Sequence, residues 1–283
     1  MRIVSLLPST TEILYAIGAG EDVVGVTFEC DFPPAARLST IVSTTTMPEG
    51  LTPRGIDDWV SSARERGEDL YRLDADALAG LDADLVITQD LCAVCAVDVS
   101  VVADALEHLG CRAEVLTIDP HTLEEVWESI ITIGRATGRE DAARSLVDSL
   151  RERVAAVTNR VSGRGRPRVM LLEWVDPPFA PGHWIPAMID AAGGEPLLGN
   201  PGTDSRRTTW DAIIEAAPEV VVAAPCGFDR AAATEQARDL RGSGVLSADV
   251  EIHAVDANAS WARPGPRLVD GIEELADILH PDL

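Results

Sequence analysis

The sequence contains no lysine, so all 23 basic side chains are arginine, against 47 aspartate and glutamate residues. The formal net charge is −24, and a surface this acidic repels polyanions and anionic membranes. We therefore expect neither nucleic acid nor a membrane surface as a partner. Such a surface is typical of a high-salt cytoplasm or of an arginine-rich genome, and it indicates solubility rather than a ligand class.

Long apolar runs are also missing. No stretch of about 18 apolar residues occurs, so we expect no membrane-spanning helix. The apolar run that starts at Ile3 stops at Pro8, too short for the apolar part of a signal peptide, and it predicts a first β-strand instead. We expect a cytoplasmic protein with its five cysteines reduced, and the alternative is an exported protein whose leader has been removed.

Aromatic residues are scarce, at 4 % of the chain, and no catalytic motif such as G-x-S-x-G or H-E-x-x-H occurs. The few aromatic residues nevertheless concentrate in predicted loops. This distribution indicates a binding surface rather than an enzyme active site.

One long amphipathic helix is predicted from Thr137 to Val161. Thr137 and Glu140 match a capping box, apolar residues recur at helical spacing, and glycine and proline follow from Gly163. On both sides of this helix, short apolar runs alternate with helical patterns, as in α/β folds with parallel sheets. The sequence therefore predicts two Rossmann-like α/β lobes, 1–136 and 164–283, joined by a backbone helix at 137–163.

Polar residues mark the starts of further predicted helices. Asp74 and Thr209 are predicted caps, and Thr122 with Glu125 forms a predicted capping box. Ser9 and Glu12 form another predicted box, at a strand-to-helix turn that could bind an anion or serve as an ordinary cap. One more helix is predicted from about residue 100 to 110.

Polar, thiol and aromatic residues follow the predicted strands of both lobes. Open α/β sheets bind ligands at the carboxyl ends of their strands, so we expect the ligand in a cleft between the lobes. The candidate ligand-binding residues are Phe28, Glu29, Cys30, Gln89, Asp90, Trp174, Phe179, His183, Trp184, Trp261 and Arg263.

Cys92 and Cys95 form a C-x-x-C pair after a predicted strand. This pair could hold a soft metal together with Cys30, Glu29 or His183, act as a redox dithiol, or pack as two small residues. His183 follows three prolines and a glycine. Its imidazole could bind cobalt or iron, or it could cap the next helix or hydrogen-bond locally. His121 and the remaining histidines are expected at the surface or at helix ends.

Several segments together form a recognisable pattern. They are IVSLLPSTTEILYA at 3–16, GVTFECDFP at 25–33, DLVITQ at 84–89, PPF at 177–179, the glycine pair at 193–194 and RPGPR at 263–267. In this combination the chain resembles the cobalamin-binding proteins of ABC importers. Those proteins belong to the helical-backbone, class III substrate-binding family, which also carries ferric siderophores, haem and metals. The resemblance covers nearly the whole chain in order, and it implies the class III fold of two α/β lobes on one backbone helix.

The resemblance also implies roles for particular residues. Glu29, Gln89, Phe179 and Arg263 match ligand-facing positions, although Glu29 and Gln89 replace aromatic residues of the cobalamin proteins and Ala259 replaces an acidic one. Trp174, Trp184 and Trp261 would supply flat apolar walls from other positions. Asp76 and Asp211 match the acids that dock onto the permease, and the alternative is that they only complement helix dipoles.

Three functions follow as hypotheses. The first is a non-catalytic, monomeric, cytosolic protein that binds a corrinoid (cobalamin) or a related metal chelate. The second is a metal- or redox-active protein that uses Glu29, Cys30, Cys92, Cys95 and His183. The third is an exported ABC importer component for a ferric siderophore or haem, with an ABC permease as its partner.

Overall fold

The computed structural model describes residues 1–89 and 113–282. They form two compact units, unit 1 with Met1–Pro120 and Trp127–Val147, and unit 2 with His121–Val126 and Asp148–Leu283. Each unit contains a β-sheet whose strands are all or mostly parallel, together with helices, which confirms the predicted α/β class. The division at residues 136 and 164 stays a prediction. Among the described residues, no helix combines the length and the apolar composition needed to cross a membrane.

Unit 1 is built on a six-stranded sheet. Its strands are β1 Ile3–Ser5, β2 Val23–Thr27, β3 Thr40–Thr45, β4 Tyr71–Leu73, β5 Leu85–Thr88 and β6 Glu114–Thr117, in the order β4-β3-β2-β1-β5-β6. All neighbours are parallel except β3 and β4. The central strands β1 and β5 are buried along their whole length, which explains their nearly continuous apolar sequences.

The helices of unit 1 that precede β5 are α1 Pro8–Ala16, α2 Pro53–Arg66 and α3 Ala75–Ala79. The Asp74 side chain accepts a hydrogen bond of 2.9 Å from the Ala77 N–H, which confirms the predicted cap of α3. The predicted capping box of Ser9 and Glu12 is wrong. Leu7 is the N-cap of α1, and Pro8 occupies the first turn, where its missing N–H costs nothing.

Two consecutive helices, α4 Leu123–Ala136 and α5 Glu140–Val161, contribute residues to both units. The predicted capping box before α4 is confirmed, because the Glu125 N–H donates to Thr122 Oγ1 at 3.2 Å and the Thr122 N–H donates to Glu125 Oε2 at 2.9 Å. The box predicted at Thr137 is wrong. The Thr137 hydroxyl donates to the carbonyls of Ile133 and Gly134, so it belongs to the end of α4, and α5 begins three residues later than predicted.

Unit 2 contains two sheets. Its strands are β7 Arg168–Leu172, β8 Trp174–Val175, β9 Pro178–Ala180, β10 Glu195–Pro196, β11 Arg206–Arg207, β12 Val220–Ala223 and β13 Glu251–Ala254. A parallel sheet has the order β10-β7-β12-β13, and a small antiparallel sheet has the order β11-β9-β8. The chain order of the parallel sheet reverses between β7 and β12. This reversal is the point at which open α/β sheets bind ligands beyond the carboxyl ends of their strands.

The helices of unit 2 that follow α5 are α6 Ile185–Ala191, α7 Trp210–Glu215, α8 Arg230–Ser243, α9 Ala257–Ser260 and α10 Leu268–Leu279. The Thr209 hydroxyl accepts from the Ala212 N–H at 3.1 Å, which confirms the predicted cap of α7. An apolar cluster that includes Met170, Val221 and Leu240 packs β7 and β12 against α8.

Candidate functional site

An aromatic pair lies at the point where the parallel sheet of unit 2 reverses its order. Trp174 follows β7 and Phe228 follows β12, and their rings meet edge to face with centroids 5.8 Å apart and planes at 84°. The Cys226 N–H donates to the Glu173 carbonyl at 3.0 Å and so joins the two loops. Trp174 and Phe228 are only half-buried. They therefore offer apolar surface at the edge where a ligand is expected.

The small antiparallel sheet extends this surface. Trp174 on β8 pairs with Phe179 on β9, and Phe179 pairs with Arg207 on β11. Residues directly opposite each other in an antiparallel sheet project from the same face, and the Arg207 guanidinium lies 5.7 Å from the centre of the Phe179 ring. We refer to Phe228, Trp174 and Phe179 as the aromatic row. Arg207 places a positive charge at one end of it.

Two histidines and an aspartate meet elsewhere in unit 2. The imidazoles of His121 and His183 stack with centroids 5.7 Å apart and planes at 29°, and His183 Nε2 lies 3.6 Å from Asp204 Oδ1. One ligand atom from each of the three residues lies within 4.8 Å of the other two. Imidazole and carboxylate are common ligands of transition metals, so this cluster is a candidate metal centre.

Neighbouring groups fix the position of His183. Its backbone has a φ of +51°, a left-handed conformation that few residues other than glycine adopt, and its N–H donates to the Thr203 carbonyl at 2.7 Å. The adjacent Gly182 lies so close to the 203–205 segment that a Cβ there would be 2.3 Å from the Ser205 nitrogen. The absence of a side chain at Gly182 therefore allows the Asp204 segment to approach His183.

A half-buried carboxyl group supports the same loops. The Glu173 side chain accepts from the Gly182 N–H at 2.9 Å and from the Ser205 hydroxyl at 2.6 Å. Burial raises the pKa of the Glu173 carboxyl, and the two hydrogen bonds offset part of that rise. Ser205 Oγ also lies 3.5 Å from His183 Nδ1, at the long end of hydrogen-bond distances.

Two tryptophans expected as flat walls are core residues. Trp184 and Trp261 are 6 % and 1 % exposed, and the Trp184 indole N–H donates to the Trp261 carbonyl at 2.8 Å. Rings this deeply buried pack against other side chains and present almost no surface to a ligand. The structure therefore revises their expected role, and the apolar surface comes from Trp174, Phe179 and Phe228.

The expected residues of unit 1 differ in accessibility. Phe28 and Glu29 follow β2 and are half-buried, with the Phe28 ring 6.2 Å from the Tyr71 ring, whereas Gln89 follows β5 and is buried. Cys30 is only 2 % exposed, so the structure revises its expected contact with a ligand.

The Cys30 sulfur belongs to a network of buried hydroxyl groups. It lies 3.1 Å from both Thr11 Oγ1 and Thr27 Oγ1, and the Thr11 hydroxyl also donates to Ser5 Oγ at 2.8 Å. Hydroxyls of the strand-to-helix turn thus satisfy one another and the Leu7 carbonyl. The structure supports local packing at this turn rather than an anion site.

The other predicted site residues are at the surface or outside the described part of the chain. Arg263 is half-buried in the loop after α9, and Asp76 and Asp211 are exposed in the first turns of α3 and α7. Asp90, Cys92, Cys95 and the helix predicted near residues 100–110 lie outside the described residues. Their predicted roles stay predictions.

Sequence reasoning missed four residues of these arrangements. Phe228 comes shortly after the end of a strand, and that position alone could have marked it as a candidate. The Pro-Cys-Gly sequence between the strand and Phe228 obscured this signal. Arg207 lies on a strand of two residues, too short for an alternation pattern. His121 and Asp204 are separated from His183 by 62 and 21 residues, so no local spacing motif connects them.

The sequence profile of the periplasmic binding protein family matches residues 3–242. The chain belongs to this family. Its members are non-catalytic substrate-binding proteins that bind small molecules and work with ABC permeases. The membership confirms the family expected from the sequence and the two-lobed class III fold expected for it.

Two curated relatives are similar over 99 % of the chain. The ABC transporter substrate-binding lipoprotein YvrC of Bacillus subtilis is 27 % identical over 290 aligned positions, which cover 80 % of that protein. A cobalamin-binding protein of Halobacterium salinarum is 27 % identical over 291 positions, which cover 69 % of it.

Solved structures share the fold of this chain. The vitamin B12 binding protein BtuF of Vibrio cholerae has a TM-score of 0.71 at 19 % identity, with 99 % of this chain and 96 % of that one covered. A periplasmic heme binding protein of Pseudomonas aeruginosa has a TM-score of 0.73 at 20 % identity, with 99 % and 93 % covered.

Proposed function

We propose that this protein is a substrate-binding protein for a flat metal chelate, with a corrinoid of the cobalamin type as the preferred ligand. The observation that carries the proposal is the aromatic row beyond the carboxyl ends of β7 and β12. Trp174 and Phe179 are paired across the small sheet and Phe228 meets Trp174 edge to face, so three half-buried rings offer apolar surface to one face of a corrin or porphyrin. The cobalamin-binding and heme-binding names of similar proteins support the same ligand class.

The charges near the row fit the periphery of such a ligand. Arg207 stands over Phe179, and Arg263 lies in the loop after α9. Guanidinium groups bind carboxylates, amides and phosphates by pairs of hydrogen bonds, and corrinoids and haem carry amide, phosphate or carboxylate groups at their edges. We infer that the rings supply most of the affinity, at about 25 cal/mol per Å² removed from water, and that the arginines orient the ligand.

A retention experiment tests the ligand class. The purified protein is incubated separately with cyanocobalamin, dicyanocobinamide, haem and a ferric hydroxamate siderophore, desalted, and examined by absorption spectroscopy and thermal denaturation. We expect a retained corrinoid band at one equivalent per chain. A retained haem or siderophore band without a corrinoid band would establish the alternative importer ligand. Retention of none of the four would refute the proposal.

Substitutions in unit 2 test the aromatic row. We expect Trp174→Ala and Phe228→Ala each to weaken ligand binding roughly thirtyfold or more, which is typical of aromatic residues that dominate an interface. Trp59→Ala is a matched control, because Trp59 is a half-buried tryptophan on α2 in the other unit. Wild-type affinity in both row variants would show that the ligand binds elsewhere.

The contribution of unit 1 is tested separately. Phe28→Ala and Glu29→Ala remove half-buried side chains that follow β2. If these residues contact the ligand as the resemblance implies, each variant lowers affinity while leaving the thermal midpoint of the free protein unchanged.

For the alternative in which the protein is exported, we infer that Asp76 and Asp211 dock onto an ABC permease. Both carboxylates are exposed and therefore accessible to arginines of a partner. The Asp76→Arg, Asp211→Arg double variant should bind ligand normally but fail to stimulate the ATPase of its permease in proteoliposomes. The uncharged Asp76→Asn, Asp211→Asn variant distinguishes repulsion from loss of contact. Normal stimulation by the charge-reversal variant would leave only the helix-dipole role.

We propose that the protein is cytoplasmic. Fractionation of the native organism, with an antibody against the protein, tests this location. Recovery in the membrane or outside the cytoplasm would instead favour an importer component.

A further inference from the structure

We propose that His121, His183 and Asp204 form a binding site for one divalent transition-metal ion of the Zn²⁺, Co²⁺ or Ni²⁺ type. The site lies entirely within unit 2, and it requires neither the chelate nor the permease of the proposed function.

The ligand atoms are close to the spacing that a metal ion imposes. Imidazole nitrogens and carboxylate oxygens lie about 2.0–2.2 Å from Zn²⁺, so two ligand atoms of a tetrahedral site are separated by roughly 3.3 Å. His183 Nε2 and Asp204 Oδ1 are already 3.6 Å apart, and all three ligand atoms fall within 4.8 Å of one another. Since the Asp204 side chain is 84 % exposed, it can rotate to close the remaining distance without disturbing packed atoms.

The types of ligand atom determine which metal ions the site prefers. Two imidazoles and one carboxylate suit zinc, cobalt and nickel, whereas Ca²⁺ and Mg²⁺ prefer oxygen ligands alone. Three protein ligands also leave a fourth tetrahedral position for water or for a donor atom of another molecule. The half-buried environment of both histidines keeps that position open to solvent.

The surroundings of His183 can hold the tautomer that binds metal. The Ser205 hydroxyl donates to Glu173 Oε2 at 2.6 Å, so its oxygen lone pairs remain available to accept from His183 Nδ1–H at 3.5 Å. A proton on Nδ1 leaves the Nε2 lone pair directed towards Asp204. Metal-binding histidines usually have their second nitrogen held in this way by a neighbouring acceptor.

His121 is held from its backbone. Its N–H donates to Glu125 Oε2 at 2.6 Å, one residue before the confirmed capping box of α4. The stacked arrangement of the two imidazoles therefore joins a helix start to the His183 loop. The His121 main chain is therefore anchored by Glu125, and its ring stacks on that of His183.

The test is metal binding by the full chain after removal of metal with a chelator. Zn²⁺ affinity is measured by competition with a chromophoric chelator, and stoichiometry is measured by elemental analysis after dialysis. All proteins carry Cys92→Ser and Cys95→Ser, so that the C-x-x-C pair cannot contribute thiolate ligands. We expect one tightly bound Zn²⁺ per chain in this background.

Substitution of each ligand should then abolish the site. His121→Ala and His183→Asn should each lower Zn²⁺ affinity at least about a hundredfold, because even residues that only orient metal ligands contribute ten- to a hundredfold. Asparagine is chosen at position 183 because it tolerates a left-handed φ, and circular dichroism verifies folding. Co²⁺ adds a spectroscopic readout, since its visible bands should change from the hydrated to a four-coordinate pattern only with all three ligands present.

His253→Asn is the matched control. His253 Nε2 lies 3.2 Å from Glu251 Oε2, so it also has a carboxylate neighbour, and it makes no ring contact with a second imidazole among residues 1–89 and 113–282. This variant should keep wild-type Zn²⁺ affinity. Either of two results would overturn the proposal. In one, His121→Ala and His183→Asn bind Zn²⁺ as tightly as the Cys92→Ser, Cys95→Ser background. In the other, that background binds no zinc.

Discussion

At the scale of single residues, His183 shows what local sequence can predict and what it cannot. Its position after a strand and a proline-rich stretch correctly indicates an irregular loop in which an imidazole stays accessible. The sequence does not reveal its neighbours, because His121 and Asp204 come from distant segments that tertiary packing brings together. Trp184, the next residue, shows the opposite outcome, since the same loop directs its ring into the core.

Glu173→Gln tests whether the Glu173 carboxyl controls the His183 tautomer. In this variant the Gly182 N–H still needs an oxygen to accept its hydrogen bond, so the amide oxygen of the new glutamine would face Gly182. The amide N–H₂ would then face Ser205. The Ser205 hydroxyl would then donate to His183 Nδ1, which moves the imidazole proton to Nε2 and blocks the metal. We expect Zn²⁺ affinity to fall about ten- to a hundredfold, as measured by chelator competition.

Glu195→Gln serves as the control for that substitution, because Glu195 is an exposed carboxylate of the same unit. It should leave Zn²⁺ affinity unchanged. If Glu173→Gln also leaves it unchanged while His183→Asn lowers it, Glu173 has no part in orienting the ligand.

At the scale of helices and strands, caps are predicted correctly where a polar residue precedes a helix and no earlier helix competes for its side chain. Asp74, Thr122 and Thr209 satisfy this condition, and each accepts the expected N–H. The sequence around Thr137 shows the same capping pattern, but Thr137 directly follows α4, and its hydroxyl donates to carbonyls of that helix. A serine or threonine pattern does not distinguish these two uses.

Thr209→Ala should destabilise unit 2 through the loss of the α7 cap. The hydroxyl accepts from the Ala212 N–H, and replacement of a threonine cap by alanine costs about 1 kcal/mol, within a range of roughly 0.5–2. Urea denaturation at pH 7 measures this change. Thr209→Ser keeps the acceptor and should remain within about 0.5 kcal/mol of wild type, whereas equal losses in both variants would assign the effect to the methyl group.

An ion-pair network joins α5 to α10 within unit 2 and gives the protein a pH dependence. Arg153 donates to Glu273 from Nε at 2.9 Å and from an Nη at 2.7 Å, and it also contacts Asp270 at 2.6 Å. The hydrogen bond from Arg153 lowers the pKa of the Glu273 carboxyl below 4.5. An acid whose pKa falls on folding stabilises the folded state above its unfolded pKa, and this stabilisation disappears as the pH falls through the lower folded value.

We therefore expect Glu273→Gln to be less stable than wild type above about pH 5, with the difference shrinking as the pH falls through the lowered pKa of the Glu273 carboxyl. Because the Glu273 side chain is 40 % exposed, the difference at pH 7 should stay below about 1 kcal/mol. Denaturant titrations from pH 3 to pH 7 measure it. Glu235→Gln, on the exposed side of α8, should show no such trend, and a pH-independent difference for Glu273→Gln would contradict the electrostatic cause.

At the scale of the whole molecule, apolar runs that are buried on both sides made the α/β class and the parallel strands predictable, as at Leu85–Thr88 and Val220–Ala223. The antiparallel edge strand β4 and the β8, β9 and β11 sheet were not predictable. Their strands have two or three residues, which is too few for a period to be recognised, and tertiary contacts define them. The aromatic row depends on that small sheet, so its register could emerge only from the structure.

The composition predicts how the whole molecule responds to salt. With a formal charge of −24, carboxylates repel one another over long distances at low ionic strength, and the range of that repulsion falls from about 30 Å at 0.01 M salt to about 3 Å at 1 M. We expect the thermal midpoint to rise steadily from 0.01 M to 1 M KCl. A variant that neutralises the exposed residues Asp58, Asp148, Glu152, Glu215, Glu235 and Asp239 should be more stable than wild type at 0.01 M and gain less from salt. Since sucrose screens no charge, it should raise both midpoints equally, and an equal salt response in both proteins would show that the excess negative charge does not limit stability.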